Sequence, residues 1–415
     1  MIERLYQHYL QHPKITTDSR RIEPGGLFFA LRGASFDGNR FAVEALKQGA
    51  AYAVVDDPSI PDRHPEYRDR LVVVEEVLTA LQALARHHRE QLSIPVLAIA
   101  GSNGKTTTKE LTAAVLSKKY RTYATRGNLN NHIGVPLTLL EIGPEVEFAI
   151  VEMGASACSE IALLCSIARP DYGLLTNIGR SHLEGFGGVE GIRRGKGELF
   201  DHLASHHGTA FIPQEDEVLT AMWQERSKEA PVLFSNRPAP EVKTQLEGEY
   251  NRLNIAAAMA VGRHFGVSEE AMREAVAGYT PRNHRSQRMT TQRNQLVVDC
   301  YNANPSSMAV AIDHFKQETR EAGRQVMILG DMLELGPWSE EEHLATLRRA
   351  LDSRCELWLV GQHFRQAAQE VGVHEQIRLF DSVEAMREAL EELSGASVLI
   401  KGSHSIGLER CMEYL

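Results

Sequence analysis

Residues Gly101-Ser102-Asn103-Gly104-Lys105-Thr106-Thr107 bring together the groups that a nucleotide triphosphate needs. Glycine at 101 and 104 lets backbone N–H groups curl around phosphate oxygens with no Cβ in the way. The Lys105 ammonium can sit against the β/γ charge, and the Thr106 hydroxyl can ligate Mg²⁺. The common form of such a loop has a longer interval between its glycines, and Ile99 holds the place where the first of them would fall. A shortened loop is the rarer variant.

Three further residues carry chemistry. Glu152 ends the apolar run Phe148–Val151, a placement suited to completing a Mg²⁺ shell beside a phosphate loop. His182 lies just past another apolar run, Tyr172–Leu175, in Asn177-Ile178-Gly179-Arg180-Ser181-His182. A lone histidine there also reads as a hydrogen-bonded loop residue. Lys196 follows in Arg193-Arg194-Gly195-Lys196-Gly197-Glu198, which on composition alone reads as a solvated helix face.

The elements that must position these groups alternate between strand-like and helix-like runs. In residues 1–92 the strands are Leu27–Leu31, Ala53–Val55 and Leu71–Val74, with helices over Phe41–Gln48 and Leu78–Arg89. Ser93-Ile94-Pro95 marks a junction, since the residue before a proline is pushed away from helix. From 93 to 282 come the strand Val96–Ala100, the loop, a helix and the two strands already named. Such an alternation predicts a mostly parallel sheet with ligands at the carboxyl ends of its strands. From 283 to 415 the runs Leu296–Val298, Val326–Leu329, Leu357–Val360 and Val398–Ile400, with amphipathic stretches such as Ser382–Leu393, predict a second, Rossmann-like layer. Three α/β domains are expected.

Composition sets limits. The chain has 415 residues, too many for one core, which rarely grows past ~250–300 residues. A net charge of −10 argues against an electrostatic grip on nucleic acid. The first ten residues are polar and carry Glu3 and Arg4, so no signal peptide is expected. No apolar run reaches the ~20 residues of a membrane helix. Cysteines 158, 165, 300, 355 and 411 form no Cys-x-x-Cys pair. That pattern points to free thiols in a reducing cytoplasm, with Cys158 and Cys165 packing within a helix.

Several segments, in order, resemble the Mur ligase family over nearly the whole chain. They are Thr17-Asp18-Ser19-Arg20 with Pro24-Gly25-Gly26-Leu27-Phe28, the phosphate loop, Gly127 to Pro136 (Gly-Asn-Leu-Asn-Asn-His-Ile-Gly-Val-Pro), Asn177 to His182, and Lys196-Gly197-Glu198. Within the family, Tyr301-Asn302-Ala303-Asn304-Pro305 and Leu329-Gly330-Asp331-Met332-Leu333-Glu334-Leu335-Gly336 resemble the branch that adds D-alanyl-D-alanine to UDP-N-acetylmuramoyl-tripeptide. The Asp-Asn-Pro-Arg motif of the sister ligase that adds the third residue is absent.

The resemblance implies a small N-terminal α/β domain for the UDP-muramoyl substrate, a central P-loop ATPase-like domain with a parallel sheet, and a C-terminal Rossmann-like domain for the incoming dipeptide. It implies ATP and Mg²⁺, an acyl-phosphate route to an amide bond in peptidoglycan precursor synthesis, a cytoplasmic location and a monomer. Lys105 and the amides of Gly101 to Thr107 would hold the β/γ-phosphates. Thr106 and Glu152 would hold one Mg²⁺, and His182 with Lys196, carried as a carbamate, a second. Asn251 and Asn254 would meet adenine, although Asn251 reads equally as a helix cap. Arg285 would reach the ATP phosphates and Asp299 the ribose. Asn302 and Asn304 would face the phosphates and the dipeptide, and Asn130 and Asn131 the muramoyl group. Ser19 and Arg20 would bind the uridine diphosphate end, although Arg20-Arg21 alone reads as a solvated pair. Arg180, Asn283-His284, Cys300 and His404 depart from the family's pattern. Other readings are a folylpolyglutamate-type or other Mur-type ligase, a nucleotide-driven switch, and an inactive homologue. The Asp18-Ser19-Arg20 segment speaks against the first, and the presence of Lys105, Glu152, His182 and Lys196 against the last.

Overall fold

The computed structural model describes residues 1–235, 242, 244, 246, 249–280, 287–318, 323–372 and 374–415. Three sheets follow one another along the chain. The first is parallel, with strands in the order Ile15–Thr16, Leu27–Phe29, Tyr52–Val55, Leu71–Val73. The second, also parallel, runs Val232–Phe234, Thr209–Pro213, Tyr172–Leu175, Val96–Ala100, Phe148–Glu152, Thr122–Ala124. The third runs Gln287–Thr290, Gln295–Asp299, Ala396–Lys401, Arg324–Gly330, Glu356–Val360, Ile377–Phe380, with only the first strand antiparallel. The expected α/β class is the one observed.

Val96–Ala100 is apolar throughout because both its faces are covered. Leu97 and Ile99 join a cluster with Leu111, Val115 and Ala258 from the helices Lys105–Leu116 and Glu249–His264. Val96, Ala98 and Ala100 point the other way, toward Val135, Leu164 and Leu199. Period-two alternation inside an unbroken hydrophobic run is what a central parallel strand requires. Its register decides the site. Ile99 pairs with Glu152 and Ala100 with Leu175. Gly101, Glu152 and Thr176 therefore leave the sheet at one edge, where strand order reverses and a ligand crevice forms.

The first domain is pinned to the second by the helix Val77–Gln91. Buried His88 bonds the Ile142 carbonyl at 2.9 Å, and buried Arg89 bonds the Ala168 carbonyl and the Asp171 carboxylate at 3.0 and 2.9 Å. Burial holds the His88 imidazole below its ordinary pKa and so favours the neutral ring. Gln82 bonds the carbonyl of His132, a residue beside the crevice, at 2.9 Å. Sequence periodicity missed the short strands. Ile15–Thr16, Thr122–Ala124 and the hairpin Arg32–Gly33 with Phe36–Asp37 are too brief to show a pattern. Cys165 is buried in the helix Glu160–Ala168, but Cys158 precedes that helix rather than lying in it. All five cysteines are free thiols.

Candidate active site

Gly101 takes φ +129° because the loop must turn back over Thr176, and a Cβ there would come 2.2 Å from the Thr176 hydroxyl. Gly104, at φ +80°, lies under Asn254, whose Oδ1 would be 2.6 Å from any added Cβ. A side chain at either position would be strained. Gly101→Ala is expected to cost about 1–3 kcal/mol through backbone strain alone, and more through the clash. Thermal melting should show the loss, and calorimetry should show no binding of a non-hydrolysable ATP analogue. Lys105 folds its ammonium onto the Gly101 and Ser102 carbonyls at 2.9 and 3.0 Å. The loop is fastened by Ser102 to Gly179 and by Asn177 to Asn103.

Beside the loop lies a cavity of about 960 Å³, walled by the middle domain on one side and by Asp299, Tyr301, Asn302 and Lys401 of the C-terminal domain on the other. Glu152 is 1% exposed in its wall. Its Oε1 accepts from Thr106 at 3.1 Å and from Asn130 at 2.8 Å. Its Oε2 is buried with no hydrogen-bond partner, the Lys109 ammonium standing off at 3.7 Å. A buried carboxylate oxygen left so costs about 1–3 kcal/mol or more, and a divalent cation beside Thr106 would relieve it. The donor set is oxygen-rich and incomplete: among the described residues no group of three or more His, Cys, Asp or Glu could hold a metal. That suits Mg²⁺, which keeps several waters and takes oxygens from substrate phosphates.

His182 lies on the cavity wall and gives its Nδ1 to the Glu334 carboxylate, which comes from the C-terminal domain. That hydrogen bond holds the Glu334 carboxyl below the usual range. Lys196 corrects the solvated-face reading. Only 1% exposed on the helix Val189–Ser205, it donates to the Ala155 carbonyl at 2.8 Å and lies 4.9 Å from the centre of the Phe186 ring. Burial, and the Lys105 charge nearby, push its pKa well down. Gly195 permits this closeness, since a Cβ there would meet Phe186 at 2.5 Å.

The Mur ligase family catalytic domain matches residues 13–91, the Mur ligase middle domain 99–240, and the Mur ligase glutamate ligase domain 284–404. The UDP-N-acetylmuramoyl-tripeptide–D-alanyl-D-alanine ligase of Bacillus subtilis is 35% identical, over 79% of this chain and 75% of its own. A crystal structure of MurF from Acinetobacter baumannii superposes with TM-score 0.86 at 30% identity, covering 100% of this chain and 98% of that one. The chain belongs to the Mur ligase family. The MurF ligase of Thermotoga maritima, solved in complex with ADP, superposes with TM-score 0.83 at 27% identity over 98% of this chain and 97% of that one.

In this Mur ligase the other expected residues are distributed unevenly. Thr107, Asn130, Asn131, Asn254, Asp299 and Asn302 reach the cavity wall. Asn131 also braces the turn that leads into the helix Gly134–Leu140, accepting from the backbone N–H groups of Ile133 and Gly134 at 3.1 and 2.9 Å. Asn251 is buried and holds Asn254 at 3.0 Å. It is the third residue of the helix Glu249–His264, not its cap. Asn304 caps the helix Pro305–Glu318 through Ser307 and bridges to the phosphate loop, exchanging amide bonds with Asn103 at 2.8 and 3.4 Å. Ser19 and Arg20 stay off this cavity. They follow the strand Ile15–Thr16, where Arg20 grips Asp18 at 2.9 Å and draws its pKa down to about 2. Arg285 lies outside the described residues. Arg180 binds the buried Glu342 of the C-terminal domain at 2.6 Å, and His404 stacks on Tyr301.

Sequence reasoning missed Lys109, Glu334 and Lys401. Lys109 lies one helical turn after Lys105, a spacing that could have announced it. Lys401 is 1% exposed, lines the cavity and donates to Asp299 at 2.6 Å. Nothing local marks it, because the pair joins strands far apart in sequence.

Proposed function

We propose that this Mur ligase joins D-alanyl-D-alanine to UDP-N-acetylmuramoyl-tripeptide at the expense of ATP, giving ADP, phosphate and the pentapeptide precursor of peptidoglycan in the cytoplasm. The observation that carries this reading is the shared cavity. A triphosphate loop with Glu152 and His182 stands on one wall, and Asp299, Asn302 and Lys401 of another domain on the facing wall. Such a cavity can bring an amine to a carboxylate activated as an acyl phosphate, so catalysis rests on positioning and charge neutralisation.

Roles follow from chemistry. Lys105, released from the loop carbonyls, neutralises the β/γ-phosphates, which the amides of residues 101–107 cradle. Thr106 and Glu152 hold a Mg²⁺, and His182 serves a second. Bound Mg²⁺ supplies Lewis-acid stabilisation of phosphoryl charge. Asn254, steadied by Asn251, reads adenine; Asp299, held by Lys401, faces the ribose; Arg285 meets the phosphates. Asn302 and Asn304 serve the dipeptide side, Asn130 and Asn131 the muramoyl side, and Ser19 and Arg20 the uridine diphosphate. Residues 1–92, 93–282 and 283–415 then act as substrate, nucleotide and dipeptide domains. Lys196 is read as a carbamate. Burial favours the neutral amine, which can add CO₂ with loss of a proton, and the resulting anion would suit a cation, whereas an ammonium would repel it.

Coupled assays of ADP and phosphate release test the reaction. Turnover is expected only when tripeptide and dipeptide are both supplied. Equal ATP hydrolysis without either acceptor would replace the ligase by a nucleotide-driven switch.

A further inference from the structure

Two non-glycine residues of the cavity wall have left-handed backbone, His182 at φ +54° and Glu334 at φ +60°. Each such residue stores backbone strain and persists only where its surroundings fix it. The two fix each other. The Glu334 carboxylate accepts from His182 Nδ1, and the Glu334 carbonyl accepts from the Glu184 N–H at 3.2 Å. Gly336 lets the loops close, since a Cβ there would come 2.9 Å from Glu184. His182 follows the strand Tyr172–Leu175 of the middle sheet, and Glu334 follows Arg324–Gly330 of the third. Among the described residues, Nε2 of the ring has no protein partner.

We infer that Glu334 is a positioning residue for His182: its carboxylate keeps the proton on Nδ1 and leaves the Nε2 lone pair for a divalent cation in the cavity. The inference rests on the reading of His182 as a metal group. Imidazole ligands commonly donate their second nitrogen to a carboxylate, which fixes ring and tautomer and strengthens the ligand. Here the carboxylate belongs to the other domain. The ligand is therefore set only while the two domains are docked, and metal binding and docking favour each other. Docking itself has a separate fastening two residues from His182, the Arg180–Glu342 pair at 2.6 Å. Glu334 is thus free to serve the ring.

The test uses Mn²⁺ with ADP on the full chain, followed by electron paramagnetic resonance for affinity and electron spin-echo modulation for imidazole nitrogen. Glu334→Gly suits the left-handed backbone and removes only the side chain. It is expected to keep the melting temperature, weaken Mn²⁺ by about 10- to 100-fold and diminish the nitrogen signal. Glu334→Gln, which keeps an acceptor oxygen without the charge, is expected to recover part of both. His182→Ala with Glu334→Gly should be no weaker than His182→Ala alone. If His182→Ala abolishes the nitrogen signal while Glu334→Gly leaves affinity and signal at wild type, the inference falls and the metal reading stands. Additive losses overturn it too, since they mean that the carboxylate acts by charge alone. If His182→Ala changes neither quantity, the metal reading falls and takes the inference with it.

Discussion

Glu152→Gln is expected to lower kcat by about 10²–10³-fold, the scale seen when one preorganised electrostatic group is removed from a reacting centre. The substitution is nearly isosteric. Its amide oxygen can still accept from Thr106 and Asn130, which now meet Oε1 at 3.1 and 2.8 Å. What disappears is the charge on a carboxylate whose second oxygen is buried without a donor. Steady-state kinetics with both acceptors, beside Mn²⁺ affinity, measure the effect. A kcat within tenfold of wild type would remove Glu152 from the phosphoryl-transfer site.

Lys196→Ala is expected to be nearly inactive and to regain part of its rate with short carboxylic acids, which place an anionic oxygen where the proposed carbamate would stand. Truncating so buried a side chain also opens a hole, which in cores costs about 2–5 kcal/mol. Lys196→Met fills that volume and separates the two effects: it should fold well, remain inactive and resist rescue. The pH dependence of stability adds an independent reading. Burial holds the folded-state pKa well below the ordinary lysine value, which is about 10.4. Between those two values the unfolded chain binds more protons, so stability rises with pH across that window. Its contribution is complete above the unfolded value and is lost as pH falls through the folded one. Denaturant titrations should show this slope in the unmodified wild type and not in Lys196→Met. Full activity in Lys196→Ala without added acid would exclude the carbamate.

Long periodic elements were legible in the sequence and long-range pairings were not. Val96–Ala100 and Tyr172–Leu175 begin and end where their apolar runs do, because both faces of a central strand are buried and polar residues mark its limits. Glu152 is the last residue of its strand, as its place at the end of the apolar run implied, and the register against Ile99 puts it beside Thr106. The burial of Lys196 was hidden, since Arg193 and Arg194 next to it are surface cations, Arg193 pairing with Glu225. Helical rotation turns the amine inward over the Phe186 ring, and the flanking Gly195 and Gly197 are the only local sign of it. Asp299–Lys401 and His182–Glu334 link strands or domains far apart in sequence, a relation no local pattern carries.

The paired amides of Asn103 and Asn304 place the phosphate loop and the C-terminal lobe within one hydrogen-bonded seam. An inhibitor that wedges this seam apart need imitate neither ATP nor a peptide. Escape from such a compound would demand matched changes in both lobes, because altering one amide strands the other.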